Sequence, residues 1–298
     1  MEKSSLVSKK ISIIGAGRVG QSLGKALSKK GYIIGGLSCR NLTEAKQAAK
    51  FLGQGYPYQK NAEAVGNSGI IFITTPDDVI KNVVKELSKE ELSWRGRVVF
   101  HCSGVLSSTL LSPLKKAGAA TASLHPLQSF PEPYQVEKAF QGIFFLLEGD
   151  EEAFPIAQSL VKALGGHLLY LKSEDKALYH AAAAIASNYL ISLLFIACKL
   201  MGKAGIPLRQ AEDALLPLMR RTLANAEHFG IVHSLTGPIS RGDEQTISLH
   251  LKALKAVDAE LERIYRLIGL ETLKIAENQG LISPTKKLKL LKLLQPSD

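Results

Sequence analysis

The sequence predicts an α/β fold in which a doubly wound, mostly parallel sheet is followed by an all-helical C-terminal domain. The first half alternates short runs rich in β-branched residues with helical patterns, and this alternation is typical of βαβ units. After about residue 172 the strand signal ends and only helical periodicity remains. A length of 298 residues suits two domains. We therefore expect an α/β domain over residues 1–155 and a mainly helical domain over 156–298.

The predicted elements follow one another closely along the chain. Strands are expected at 11–14, 33–37, 70–74, 98–101, 121–124, 143–147 and 167–171. Helices are expected between them at 19–29, 43–52, 78–87, 107–116 and 151–164, with Thr43 and Ser107 as N-caps. The C-terminal helices are expected at 174–201, 207–228, 243–267 and 270–278, with a kink at Pro217.

Composition excludes several classes of protein. Three scattered cysteines and seven scattered histidines show neither a disulfide framework nor the spacing of metal ligands, so we expect a cytoplasmic protein without a metal. The net charge of +10 is concentrated partly at the two lysine-rich ends, and no nucleic-acid-binding motif is present. A basic balance also suits an anionic dinucleotide and a carboxylate substrate, and we expect no nucleic acid as a partner.

One uncharged stretch, residues 177–198, is long enough to cross a bilayer. It contains several polar residues and a run of alanines, which favour the buried central helix of a helical domain over a membrane span. The tail at 285–294 spaces leucines between lysines. That pattern suits a helix docked on its own fold or on a dimer partner better than one lying on a membrane.

A glycine-rich turn follows the first predicted strand and opens the first predicted helix, reading Gly15-Ala16-Gly17-Arg18-Val19-Gly20. In this context the spacing is the dinucleotide-binding signature of a Rossmann domain. Gly15 allows the tight turn, Gly17 lets the backbone approach a pyrophosphate, and Gly20 lets the helix pack on the strand. The phosphates then lie at a helix N-terminus, whose free N–H groups favour anions.

The end of the second strand favours NADP over NAD. An NAD site usually has Asp or Glu here to bind the ribose hydroxyls, but this chain has Ser38 and Arg40. Both side chains can hold a 2′-phosphate by hydrogen bonds, and Arg18 adds a cation or stacks on the adenine. The alternative is that Arg40 is a solvated loop charge.

Further polar residues end the later strands. Thr74, Thr75 and Pro76 follow one strand, and Ser103 and His125 follow the next two. Because the carboxyl ends of parallel strands face the ligand crevice, we expect the first four to contact the cofactor and His125 to contact substrate. Cys102 has no organised base nearby, which favours an inert thiol.

A polar stripe on the uncharged helix is the candidate chemical site. At 100° per residue, Lys176, His180 and Ser187 fall near one line, with Asn188 at its edge. His180 is suited to protonate a carbonyl or imine during reduction, and Asn188 to orient the same atom. A structural histidine and asparagine, hydrogen-bonded between helices, is the alternative.

A loop at residues 235–243 contains two glycines and a proline and ends at Asp243, a candidate helix cap. Arg241 in this loop is suited to bind a substrate carboxylate bidentately. The alternative is an arginine tied to Asp243 in a structural turn.

Over residues 10–280 the chain resembles bacterial proteins that join a Rossmann-like NADP-binding domain to a C-terminal domain of unknown function, DUF2520. The segments that carry the resemblance are residues 13–20, 123–127, 179–183, 187–189, 235–238 and 241–243. The resemblance implies relation to the 6-phosphogluconate and β-hydroxyacid dehydrogenase group, which includes ketopantoate and pyrroline-5-carboxylate reductases. In β-hydroxyacid dehydrogenases a catalytic Lys is followed four residues later by Asn, whereas here Lys176 is followed by His180. Either residue is therefore a candidate proton donor.

The resemblance implies an NADP(H)-dependent oxidoreductase that reduces a small 2-keto or imino acid, of the β-hydroxyacid dehydrogenase or ketopantoate reductase type, as a homodimer. Two alternatives remain open at this point. One is a non-catalytic NADP-binding sensor or scaffold, and the other is an oxidoreductase that exchanges hydride between NADPH and a deazaflavin coenzyme.

Overall fold

The computed structural model describes residues 9–132, 138–280 and 282–295. The chain divides into two compact units, Met1–Ser187 and Asn188–Asp298. The first unit ends at Ser187, beyond the expected boundary at 155/156, and it includes one more strand, His167–Tyr170, and the helix Lys176–Ala184.

An eight-stranded sheet forms the centre of the first unit, in the order β3-β2-β1-β4-β5-β6-β7-β8. Strands β1 to β6 are parallel, and β7 runs antiparallel to β6 and parallel to β8. The strands are β1 (Lys10–Ile14), β2 (Ile33–Ser38), β3 (Tyr56–Tyr58), β4 (Ile70–Ile73), β5 (Val98–His101), β6 (Ala120–Pro126), β7 (Phe144–Gly149) and β8 (His167–Tyr170). The predicted doubly wound sheet is confirmed.

The helices of the first unit connect these strands. They are α1 (Arg18–Ser28), α2 (Leu42–Leu52), α3 (Asn61–Val65), α4 (Asp77–Leu87), α5 (Ser112–Lys116), α6 (Phe154–Leu164) and α7 (Lys176–Ala184). Single 3₁₀ turns precede α5, α6 and α7.

Alternation along the buried strands divides the core into two layers. Ile13 and Phe72 pack on one face of the sheet with α1 and α6, whereas Ile14 and Ile73 pack on the other with α4. Because successive side chains point to opposite faces, a strand covered on both sides is apolar throughout, and every residue of β4 and β5 is buried.

All seven predicted strands of the first unit are present, but sequence reasoning missed β3 and α3. Both are short, with three and five residues, and therefore too brief to show a period. The expected cap at Thr43 is wrong: Asn41 caps α2, its side chain accepting a hydrogen bond from the Glu44 N–H. The expected cap at Ser107 is confirmed, since its hydroxyl accepts from the Thr109 N–H.

The second unit is helical. It contains α8 (Leu190–Lys203), α9 (Leu208–Phe229), α10 (Ile231–Ser234), α11 (Pro238–Arg241), α12 (Glu244–Val257), α13 (Ala259–Asn278) and α14 (Pro284–Leu294). Pro217 lies inside α9. The helix predicted over 243–267 is broken at Asp258, whose extended backbone and carboxylate cap α13 through the N–H groups of Glu260 and Leu261.

The C-terminal helix α14 packs on the second unit. Leu290 and Leu294 are fully buried in one cluster with Leu273 of α13. The Arg266 guanidinium donates to carbonyl groups at the end of α14, which stabilises its C-terminus. Docking of the leucine- and lysine-rich tail on its own fold is therefore confirmed.

The long apolar helix runs from Ser173 to Lys203 and contains the boundary between the units. It is the one helix, among the described residues, that is long and apolar enough to cross a membrane, which by itself is weak evidence for a span. Within the single chain only 6% of its apolar window is buried, so one copy of the fold does not bury this helix as expected.

A π turn at Ile185–Tyr189 interrupts this helix. The expected alignment of Lys176, His180, Ser187 and Asn188 assumed 100° per residue, which does not hold through a π turn. The π turn therefore removes the basis for placing Ser187 and Asn188 on the stripe.

Candidate functional site

The glycine turn lies at the carboxyl end of β1, in the centre of the sheet. Gly15 has φ +84°, and a Cβ there would lie 2.4 Å from the Thr75 methyl carbon and 2.7 Å from the Thr75 backbone nitrogen. The N–H groups of Gly15 and Ala16 donate to the Ser38 carbonyl, and the Thr74 hydroxyl donates to the Gly15 carbonyl. The turn is thus held between β2 and β4 by glycine-specific geometry.

Gly17 and Gly20 differ in what surrounds them. A Cβ on Gly20 would lie 2.4 Å from the Thr74 Oγ1 and 2.8 Å from an Ile13 methyl carbon, so glycine lets α1 pack directly on the sheet. A Cβ on Gly17 would approach no other heavy atom closer than 3.9 Å. The space at Gly17 is therefore open, as a backbone that approaches a pyrophosphate requires.

The first turn of α1 has the properties of an anion site. Its N-cap is Gly17, without a side-chain cap, and no acidic residue lies in its first turn. Arg18 is exposed there, while Val19 is half-buried and packs against the core. Free N–H groups and the helix dipole favour a phosphate at this end.

The two residues expected to bind a 2′-phosphate have different environments. Ser38 is fully buried, and its hydroxyl donates to the Asn61 side chain at 2.8 Å, so that hydroxyl is not presented to a ligand. The Arg40 side chain is 87% exposed and pairs with Glu44 at 3.2 Å. A pair so exposed is weak, and Arg40 can exchange it for a phosphate.

The end of β4 lies beside the glycine turn. Thr74 uses its hydroxyl to fix the turn, and Pro76 is the N-cap of α4. The Thr75 Oγ1 is buried and has no hydrogen-bond partner among the described residues. An unpaired buried hydroxyl is costly, which fits a polar ligand atom beside the turn.

The end of β5 is tightly hydrogen-bonded. The Ser103 hydroxyl accepts from the Leu106 N–H, and the Ser103 N–H donates to Nδ1 of His101. His101 is fully buried, and burial lowers its pKa to about 4, which keeps the ring neutral. Burial raises the pKa of Cys102 to about 12, so this thiol stays protonated, consistent with an inert cysteine.

His125, at the end of β6, pairs with Tyr179 of α7. Its Nδ1 lies 3.0 Å from the Tyr179 hydroxyl, and the rings meet edge to face at 5.8 Å. Burial, reinforced by the nearby Lys176 charge, lowers the pKa of His125 to about 4. Burial also raises the pKa of Tyr179 to about 12. At neutral pH the imidazole is uncharged and the phenol keeps its proton.

His180 lies one residue further along α7 and faces His125 across Gly104. The ring centroids of the two histidines are 6.1 Å apart, nearly perpendicular. The His180 Nδ1 is buried without a hydrogen-bond partner among the described residues. Together with the strand ends, this nitrogen makes the edge of β5 and β6 the candidate reaction site.

Lys176 is fully buried behind that edge. Its ammonium donates to the Ser123 hydroxyl at 2.6 Å and to the Ser103 carbonyl at 3.1 Å. Burial lowers the pKa of Lys176 to about 8, partly opposed by the Glu148 and Asp77 carboxylates. The lysine is therefore mostly charged at neutral pH and spends two of its three donors inside the protein.

Sequence reasoning missed Glu148, a buried carboxylate on β7. It accepts hydrogen bonds from the Ser108 N–H and hydroxyl and from the Ser173 hydroxyl. These bonds fasten the start of the long helix to the sheet. No sequence motif surrounds Glu148. Its hydrogen bonds come from Ser108 and Ser173, two segments that only the fold brings next to β7.

The remaining predicted site residues lie at or beyond the end of the first unit. Ser187 is exposed in the π turn, while Asn188 and Arg241 are exposed in the second unit. Asp243 caps α12 through Thr246, as expected. The Thr246 hydrogen bonds lower the pKa of the Asp243 carboxyl, and the nearby Arg241 charge lowers it further.

Acid should destabilise the native state through His101. The unfolded ring protonates near pH 6.5, whereas the native ring stays neutral to about pH 4, so the unfolded state binds more protons in between. We expect stability to fall as the pH drops through this window, by about 3 kcal/mol from this ring. Urea unfolding at pH 7 and pH 4.5 measures the loss of unfolding free energy, which should be smaller in His101→Asn than in the native protein. An equal loss in the native protein and in His101→Asn would contradict this role of His101.

Family models match the chain in two segments. A Rossmann-like domain model matches residues 3–126, and the model of a domain of unknown function, DUF2520, matches residues 143–272. The chain belongs to the Rossmann-like proteins with a C-terminal DUF2520 domain. The second match begins at the antiparallel strand β7, so this DUF2520 segment includes the last two strands as well as helices.

Solved structures share this architecture. Protein TM1727 from Thermotoga maritima is 28% identical, with a TM-score of 0.72 over 91% of this chain and 99% of that one. BF3122 from Bacteroides fragilis, described as a candidate NADP oxidoreductase, is 22% identical, with a TM-score of 0.73 over 91% and 100%. A pyrroline-5-carboxylate reductase from Coxiella burnetii is 17% identical, with a TM-score of 0.57 over 92% and 98%. No curated protein matches the sequence.

Proposed function

We propose that this DUF2520 protein is an NADP(H)-dependent oxidoreductase that reduces a small 2-keto or imino acid. The observation that carries the proposal is the convergence of His125 and His180 on Gly104, at the sheet edge where the glycine turn lies. A nucleotide cradle and an unpaired imidazole nitrogen at one edge of the sheet suit a reductase better than a scaffold. The candidate NADP oxidoreductase and the reductase of similar fold support the same class.

The residues present fit a dinucleotide phosphate. The turn from Gly15 to Gly20 would hold the pyrophosphate, the exposed Arg40 and Arg18 the 2′-phosphate and adenine, and Thr75 a polar group beside the turn. The chemistry that NADPH supplies when bound is a hydride for the carbonyl or imine carbon. The electron pair of the former double bond then remains on the oxygen or nitrogen, which must gain one proton.

Cofactor preference should depend on Arg40. We expect Arg40→Ala to weaken NADP binding by about 10-fold or more, the usual range for a charge-assisted hydrogen bond of 1.5–3 kcal/mol, and to leave NAD binding unchanged. Titration calorimetry with both nucleotides measures this. The matched control is Arg209→Ala, which removes another exposed arginine that has an acidic partner four residues later. Equal loss for NAD and NADP would remove Arg40 from the 2′-phosphate site.

His180 is the proposed proton donor, in preference to Lys176. Its Nδ1 has no partner in the protein, whereas the Lys176 ammonium is enclosed and bonded to Ser123 and Ser103. In this proposal Lys176 stabilises negative charge that develops at the sheet edge without leaving its position. For the substrate we retain Arg241 as the carboxylate ligand and Asn188 and Ser187 as polar contacts, on the chemistry of their exposed side chains.

Turnover separates this proposal from its rivals. We expect NADPH to be consumed when a series of 2-keto acids and cyclic imino acids is offered to the purified protein. An NADP-binding sensor would bind the nucleotide and consume none. A deazaflavin oxidoreductase would consume NADPH only when that coenzyme is present, and either of those results would overturn the proposal.

We also propose that the protein is a cytoplasmic homodimer that binds neither nucleic acid nor membrane. The long helix exposes Leu178, Ile185 and Phe195, and a second copy would bury such a surface without a lipid phase. Sedimentation velocity in buffer without detergent should give twice the chain mass. A monomer, or a requirement for detergent, would contradict this.

A further inference from the structure

Tyr179 is paired with a histidine of the candidate site. Its hydroxyl lies 3.0 Å from Nδ1 of His125, and both residues are half-buried. A phenol that keeps its proton is a better donor than a neutral imidazole N–H is, so the hydroxyl donates and Nδ1 accepts. The only ring proton of a neutral His125 then resides on Nε2.

Glycine at residue 104 allows Nε2 of His125 and Nδ1 of His180 to lie close to the same backbone position. A Cβ on Gly104 would lie 3.0 Å from the His125 Nε2 and 2.5 Å from the His180 Nδ1. Gly104 does not have a positive φ, so its conformation does not require glycine. The requirement is steric, because a side chain at residue 104 would collide with imidazole nitrogens that come from two different elements.

We propose that Tyr179 is a positioning residue that holds His125 as the Nε2–H tautomer, so that His125 and His180 both donate to one carbonyl oxygen above Gly104. This inference rests on the proposed function and narrows its substrate class. A carbonyl oxygen has two lone pairs and accepts from both rings, whereas an imine nitrogen has one. The substrate is therefore a 2-keto acid and not an imino acid.

The charges around His125 support a neutral donor. His101, His180 and Lys176 are the titratable groups that act on it, and all three disfavour a further positive charge. The carboxylates of Asp77 and Glu148 act on Lys176, and Glu148 is itself bonded to Ser108 and Ser173. An uncharged imidazole that donates through Nε2 can stabilise developing negative charge on oxygen without giving up its proton.

The first test measures the tautomer directly. Nitrogen-15 NMR of the histidine rings needs neither nucleotide nor substrate, and the His125 signals are those missing in His125→Gln. We expect Nε2 of His125 to carry the proton at pH 7 in the native protein and to share it with Nδ1 in Tyr179→Phe. A proton on Nδ1 in the native protein, or an unchanged spectrum in Tyr179→Phe, would overturn the role of Tyr179.

The chain offers a matched control in the second unit. The Tyr265 hydroxyl lies 2.8 Å from Nδ1 of His250, with ring centroids 5.8 Å apart and an interplanar angle of 89°. Tyr265→Phe therefore removes the same kind of pair from the second unit. It should leave the His125 signals and the turnover number as in the native protein.

The second test measures turnover. Tyr179→Phe should lower kcat for 2-keto acids by about 10- to 100-fold, less than loss of a whole oxyanion donor costs, with NADPH binding unchanged. Gly104→Ala should stop turnover and also keep NADPH binding. Faster reduction of a cyclic imino acid than of any 2-keto acid would overturn the substrate class. If nothing is reduced, the proposed function fails, while the NMR result still decides the role of Tyr179.

Discussion

His180→Ala should lose turnover by about 100- to 10,000-fold, the range expected when a positioned proton donor is removed. The His180 Nδ1 lies beside Gly104 and has no hydrogen-bond partner among the described residues, so no neighbouring group takes over its position directly. Steady-state kinetics with the best 2-keto acid measures the loss. NADPH binding should be unchanged, because the glycine turn is held by Ser38 and Thr74, whereas His180 lies on α7.

A second histidine provides the control for this variant. His167 is exposed on β8, the outermost strand of the sheet. His167→Ala should have native turnover. Loss of activity in both variants would indicate a general effect on folding. Native turnover in His180→Ala would transfer the proton-donor role to another group, with Lys176 the first to test.

Gly15→Ala should abolish nucleotide binding, or weaken it by about 100-fold. Its Cβ would lie 2.7 Å from the Thr75 backbone nitrogen, which cannot move aside as a flexible side chain does, and alanine is strained at φ +84°. Overpacking costs about 1–3 kcal/mol and left-handed backbone about 1–2 kcal/mol, and 2.8 kcal/mol corresponds to 100-fold. Displacement of the turn relieves this cost but removes the phosphate cradle. Calorimetry with NADPH measures the affinity.

Gly31 is the control that separates backbone strain at a positive φ from steric overlap of the added Cβ. It has the same φ of +84°, but a Cβ there would meet no atom within 4 Å. Gly31→Ala should therefore lose a little stability and bind NADPH normally. Equal loss of affinity in Gly15→Ala and Gly31→Ala would show that the turn is sensitive only to global stability.

The sequence predicts the sheet well because its central strands are buried on both faces. Such strands are short, apolar and bounded by helical patterns, as the residues of β4 and β5 show. The glycine turn is equally predictable, since Gly15 is required by a positive φ and Gly20 by close packing of α1 on the sheet. His180 and His125 could be named as candidates because a strand end and a polar stripe each have a regular position.

The side-chain hydrogen bonds within the site could not be predicted from the sequence. Tyr179 meets His125 across 54 residues, and Lys176 meets Ser123 across 53, contacts that depend on how α7 crosses the sheet. Ser38 has a suitable side chain at the expected position, but it points to Asn61, because β2 continues one residue further than expected. The π turn at 185–189 has no sequence signal, and it changes which residues after Ala184 share a face.

Thermal unfolding with NADP, NADPH, NAD and NADH, each at about 100 times a micromolar dissociation constant, tests whether the glycine turn binds NADP(H). Ligand that binds only the native state at this concentration adds about 2.7 kcal/mol. The proposed NADP(H) site predicts a rise in melting temperature with NADP and NADPH, and a clearly smaller one with NAD and NADH. An unchanged melting temperature with all four nucleotides would contradict it and leave the sheet edge at Gly15 and Gly104 without its proposed cofactor.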